Sequence, residues 1–157
     1  MLSVTKLVLV IISVGVQQII CTTKPPCATR RGPNGEITLN GSWINELGSV
    51  VEFNSTNGEL TGKYTTGVGN AGSIYDLTGR YTMGGPKKDV IIATWVVSWH
   101  NDVQGNAESS TSWNGIYYPD EGVIYTQWLL VRYTDRTNYW QSTHIGHEEF
   151  TIDSKNC

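Results

Sequence analysis

The chain has 157 residues, enough for one domain with a substantial core and too few for two. Charged residues make up only 16% and aromatics 10%, and the formal net charge is −3 with a sequence pI near 5.5. With no cluster of Lys or Arg, that balance excludes a nucleic-acid-binding surface.

Met1 to Lys6 carries one positive charge and leads into the apolar run Leu7–Val16, which Gln17 and Gln18 end. The run is too short to span a bilayer as a helix and has the length of a secretory h-region. Residues 1–23 therefore read as a signal peptide cut between Cys21 and Thr23. No other stretch is long and apolar enough to cross a membrane, so the expectation is a soluble, exported protein. An oxidising compartment permits disulfides, and Cys27 and Cys157 lie near the two ends of the mature chain. They pair within the chain if the ends meet in space, and otherwise link subunits. The sequons Asn40-Gly41-Ser42 and Asn54-Ser55-Thr56 fit export and predict a glycoprotein modified on exposed turns.

Residues 24–37, rich in Pro, Gly and charge, read as a flexible leader. From residue 38 the pattern becomes short β-like runs separated by turn residues, with no helical period. Eight strands are predicted, over about 39–46, 49–54, 59–66, 73–82, 90–100, 107–118, 122–133 and 142–152. Leu47-Gly48 separates the first two, and Ser55-Thr56-Asn57-Gly58 is the strongest hairpin signal. The last connection, Thr134 to Gln141, is the longest and carries Trp140. Closely spaced turns predict an all-β, eight-stranded antiparallel up-and-down β-barrel over residues 38–152, with 153–157 as a tail. Closure removes exposed edges, and eight strands leave room for one small ligand. A sandwich would need long crossing connections, and none is visible.

The stretch Trp95 to Trp113 describes the interior. Trp95, Val97 and Trp99 alternate on one arm of a hairpin, and Ala107, Ser109, Thr111 and Trp113 share a face on the other. Indoles and small hydroxyls on one face describe a cavity wall that takes an apolar body and a few fixed hydrogen bonds. The same pairing recurs at Trp43 with Asn45 and Ser49, at Tyr64 with Thr66, and at Trp128 with Leu130. Taken singly, each pair is ordinary alternation. Together they put hydroxyls on the indole face, where an unpartnered one costs about 1–3 kcal/mol.

No catalytic constellation emerges, and the chain reads as a protein that is not an enzyme. His144 and His147 are three apart on a strand, hence on opposite faces, which argues against a shared metal. Glu148 and Glu149 are strand neighbours pointing apart, which argues against paired acid–base work.

Several segments resemble the avidin/streptavidin family of biotin-binding proteins. The similarity opens with Gly41-Ser42-Trp43-Ile44-Asn45-Glu46-Leu47-Gly48-Ser49 and continues through Leu60–Ala71 and Leu77–Tyr81. It goes on through Trp95–Trp99, Thr111–Gly115, Thr126–Leu130, Trp140–Thr143 and Ile145–Phe150. It spans roughly residues 38–152, and several segments read closer to the bacterial members. The resemblance implies biotin as ligand, no cofactor, and four barrels to a homotetramer. It implies that Asn45, Ser49 and Tyr64 donate to the ureido oxygen, while Thr66 accepts one ureido N–H. Glu148 stands where the streptavidin pattern has an Asp for the second N–H, and its extra methylene predicts affinity below the family's best. Thr111 matches the position that meets the ring sulfur, and Ser109 and Asn70 match those that hold the valerate carboxylate. Trp99, Trp113 and Trp128 would wall the ring system beside Leu47, Val68, Gly69 and Leu130. Trp140 would reach into a neighbouring subunit's pocket, and the Gly-rich loop 66–72 would close over the ligand. Trp43 and Trp95 would pack the barrel. Around Gln104-Gly105-Asn106 the chain is longer than the family pattern by about one residue. Two other classes remain on residue pattern alone: a lipocalin-like carrier of an apolar ligand, and a lectin using exposed Trp and Tyr.

Overall fold

A computed structural model describes residues 31–68, 73–103 and 105–153. The expected signal peptide, Cys27, Cys157, Gly69 and Asn70 fall outside the described residues.

Eight strands form one closed barrel in sequence order: β1 (Gly41–Asn45), β2 (Val50–Thr56), β3 (Glu59–Thr65), β4 (Ile74–Gly84), β5 (Val90–Asn101), β6 (Gly105–Tyr118), β7 (Val123–Arg132) and β8 (Thr143–Ile152). Every neighbouring pair is antiparallel, and β8 returns beside β1 with Trp43 opposite Ile152 and Asn45 opposite Phe150. Closure satisfies both edges of the sheet, which is why a meander of strands can stand without a covering layer. Period-two burial drives the pairing. In β2, Val51, Phe53 and Ser55 are buried while Glu52, Asn54 and Thr56 face water.

The predicted hairpin at Asn57-Gly58 is present, with φ of +50° and +80°. Positive φ at both central residues matches the twist of the flanking strands, and Asn and Gly tolerate it best. Both sequon asparagines are exposed, but Asn54 lies within β2 and not in a turn. The long last connection contains a short 3-10 helix, Arg136–Gln141, that periodicity did not reveal.

The barrel has two different ends. At one, Arg31–Ile37 closes a tight turn, and the chain runs on to Leu39, which is fully buried and accepts a 2.8 Å hydrogen bond from Trp43 Nε1. Trp43 meets Tyr117 edge-on at 4.9 Å, and Trp95 packs against Phe53 and Phe150. Trp43 and Trp95 are thus packing residues, as expected. Each such indole removes roughly 150–250 Å² from water, which is about 4–6 kcal/mol of burial at 25 cal/mol per Å². This half is filled. The connections after β1, β3, β5 and β7 all emerge at the other end, where the interior opens.

Candidate functional site

The open end holds a cavity of about 470 Å³. Its base is aromatic. Trp113 is almost fully buried and stacks on Trp95 beneath it at 5.9 Å and 10°. Tyr64 stacks on Trp113 at 5.1 Å, and Trp99 stands edge-on to Tyr64 and to Tyr75 at 5.6 and 5.0 Å. Trp128 and Leu130 continue the wall along β7, and Leu47 and Val68 stand at the rim. Room for the Trp128 indole depends on Gly146, its partner on β8, because a Cβ there would collide with Trp128 Cζ2.

One side of the cavity is polar. Asn45 Oδ1 accepts the backbone N–H groups of Leu47 and Ser49 at 3.1 and 2.7 Å, which fixes the amide and turns Nδ2 onto Glu148 Oε2 at 2.9 Å. Glu148 lines the cavity, half-buried. Burial raises its pKa, with the Glu46 carboxylate adding to the rise, while the bond from Asn45 lowers it. The Trp113 indole N–H also favours the charged form, without meeting the geometry of a hydrogen bond. The Tyr64 hydroxyl sits beside that of Ser49, and burial followed by the Glu148 charge pushes its pKa well above the ordinary phenol value. Tyr64 is therefore a fixed O–H donor. Ser49 Oγ also accepts the Gly67 N–H at 3.0 Å, and Thr66 Oγ1 donates to Val68 O at 2.8 Å, which ties the start of the loop to the rim.

Higher up, Thr111 Oγ1 accepts the Trp99 Nε1 proton at 2.8 Å. That bond orients the indole and leaves the Thr111 O–H proton for another acceptor. Ser109 lines the cavity above it. Ser109 keeps this face despite a bulge: from Ser98 to His100 β5 takes two steps, while β6 takes four from Ser110 to Asn106. The extra length sits around Glu108 at φ +50°, whose N–H bonds Asn106 Oδ1 and whose carbonyl accepts the Tyr133 N–H.

Three larger hollows, of about 700, 800 and 560 Å³, lie outside this interior: one along β6, β7 and β8, one at the closed end, and one beside Leu129 and Ile145. Among the described residues, only the inner cavity joins aromatic walls to a cluster of convergent polar groups, as small-ligand sites do.

The avidin family model matches residues 33–153. The chain belongs to the avidin family. It is similar to avidin-related protein 4/5 of Gallus gallus, with 32% identity over 121 residues covering 73% of this chain and 77% of that protein. Avidin-related protein 1 of Gallus gallus is 30% identical over the same coverage. Members of the avidin family bind biotin as a ligand, without a cofactor, and are not enzymes.

Most of the avidin-like positions read from the sequence converge on one cavity: Leu47, Ser49, Tyr64, Thr66 and Val68 from one side, Trp99, Ser109, Thr111 and Trp113 from β5 and β6, and Trp128, Leu130 and Glu148 from β7 and β8. Two do not line it. Asn45 is buried behind Glu148, and Trp140, 78% exposed on the 3-10 helix, stands away from its own chain's cavity. Three lining residues were not singled out from the sequence, namely Tyr75, Ala107 and Arg132. Alternation could have found two: Tyr75 precedes buried Leu77 by two, and Arg132 follows Leu130 by two. Ala107 shares the Trp113 face, where its methyl group carries no chemical signal.

Proposed function

We propose that this protein binds biotin in the open end of its barrel, and that it does so as a secreted homotetramer. The observation that carries the reading is the joining, in one cavity, of a Trp113–Trp128–Trp99 slot to the half-buried Glu148 carboxylate and the Ser49 and Tyr64 hydroxyls. A ureido group needs both kinds of partner, donors for its oxygen and acceptors for its N–H groups. Ser49 and Tyr64 donate to the oxygen, Asn45 adds its second amide proton, and Thr66 and Glu148 accept. The Thr111 O–H meets the ring sulfur, and Ser109 with Asn70 holds the carboxylate. The longer reach of Glu148, compared with an Asp, is taken up by its bond to Asn45.

Trp140 of a neighbouring barrel closes the pocket. Supporting this, Trp140, Tyr139 and Ile145 are 78%, 71% and 77% exposed, and Leu129 and Val131 face outward on β7. A patch of this kind marks a surface that associates. Export rests on the N-terminal apolar run and the two sequons; Asn40 and Asn54 are the candidate glycosylation sites, and Cys27 and Cys157 are the candidates for a disulfide, within the chain or between subunits.

Competition of biotin against a fluorescent biotin conjugate tests the central reading. Displacement at stoichiometric biotin is expected, and absence of binding at micromolar protein would sink it. Exchange with apolar carrier ligands or with sugars would return the chain to the lipocalin-like or lectin classes.

A further inference from the structure

The cavity has a charge at each end. On β7 the inward residues climb from Thr126, whose cross-strand partner is Glu148, through Trp128 and Leu130 to Arg132 at the mouth. Their partners on β6 form matching rungs: Trp113 opposite Trp128, Thr111 opposite Leu130, and Ser109 opposite Arg132. The wall therefore reads, from the base outward, as a carboxylate, two indoles, an apolar and hydroxyl pair, and finally a hydroxyl with a guanidinium. Directly opposed residues on one face of an antiparallel pair have Cβ atoms about 5 Å apart, so both can reach one group. Among the described residues Arg132 takes part in no ion pair, although Glu108 lies next to Ser109 in sequence.

We propose that Arg132 is a specificity-determining residue that reads the anionic end of the ligand, so that this protein prefers the free acid over ligands whose tail is neutral. The proposal rests on the biotin reading and deepens it. Ser109 alone offers one neutral donor, which serves a carboxylate and an amide carbonyl alike. A guanidinium presents a planar fork of N–H donors and a full charge, matched to a carboxylate and not to an amide. The protein as a whole carries a net charge of −3, which repels an anionic ligand. A cation at the mouth offsets that field where the ligand enters.

The test compares biotin with its neutral methyl ester on the intact, secreted protein, wild type and Arg132→Gln, by competition against a fluorescent biotin conjugate. In wild type the acid should bind more tightly than the ester, and Arg132→Gln should cut that preference by about three- to tenfold, the scale of one charge-assisted contact at a partly exposed mouth. Arg132→Lys should retain most of it. The wild-type preference should shrink as salt rises, because ions screen a contact near solvent, whereas in Arg132→Gln it should hardly respond. An acid-to-ester ratio equal in wild type and Arg132→Gln would overturn the assignment while leaving biotin binding intact. Failure of wild type to bind either ligand would overturn the biotin reading, and this proposal with it.

Discussion

Asn45 Nδ2 donates a 2.9 Å hydrogen bond to Glu148 Oε2, joining residues 103 positions apart where β1 and β8 close the barrel. The seam of the barrel is thus also the polar side of its cavity, and forming the fold sets the position of the carboxylate.

The Glu148 pKa is raised, chiefly by burial, so the folded protein holds this proton more tightly than the unfolded chain does. Its contribution to stability is full below the unfolded carboxylate range and is lost as pH rises through the folded pKa. Ligand binding runs the other way, because an N–H donor is held most strongly by the ionised carboxylate. Biotin affinity should fall as pH drops through the Glu148 titration, beginning above the range of an ordinary carboxylate. Glu148→Gln should flatten that profile and weaken binding at neutral pH about ten- to a hundredfold. It should also make the free protein relatively more stable at neutral pH. Calorimetric titrations over about pH 4 to 8 check this, and identical pH slopes in the two proteins would remove Glu148 from the site.

Thr111 holds Trp99 through the 2.8 Å bond to its indole nitrogen. Thr111→Val keeps the volume and removes the acceptor, leaving a part-buried N–H unpaired at a cost of about 1–3 kcal/mol. Urea unfolding of the free protein reads this directly. In a Trp99→Phe background the same change should cost much less. Equal costs in both backgrounds would show that Thr111 does not act through Trp99.

Gly146 makes space for the Trp128 ring, because a Cβ at this position would collide with Cζ2. Gly146→Ala must push a rigid indole into the cavity or move β8. We expect a loss of about 1–3 kcal/mol in stability together with faster biotin dissociation. A variant with wild-type dissociation and wild-type Trp fluorescence would mean that the site absorbs the methyl group.

Trp140 is 78% exposed in the isolated barrel. Trp140→Lys should leave the barrel folded, since the indole contributes nothing to its own core. It should speed biotin release at least tenfold, the scale of losing an aromatic anchor, and reduce the assembly size measured by light scattering. Unchanged release and unchanged size together would refute the shared pocket.

The barrel and most of the site were legible in the chain because both follow the period-two rule. Val51, Phe53, Tyr64, Thr111 and Trp113 each fall on the buried face that alternation assigns. Arg132 obeys the same rule two residues beyond Leu130, but a charged residue at a strand end reads by default as solvent-facing. Asn45 was legible as an inward residue and not as the support of Glu148, because two backbone N–H groups of its own turn decide which way the amide faces. The bulge at Glu108 left no mark beyond an extra residue near Gly105.

By itself, the sequence determined the strands, their order and the inner face of each, because alternation and turn chemistry are local and need no partner. Only the tertiary structure decided where those faces converge. Closing β8 onto β1 brings Glu148 to Asn45, pairing β6 with β7 sets Ser109 opposite Arg132, and the filled lower half leaves space only at the mouth. Register between strands distant in the chain depends on packing across the whole interior, and no local pattern encodes it.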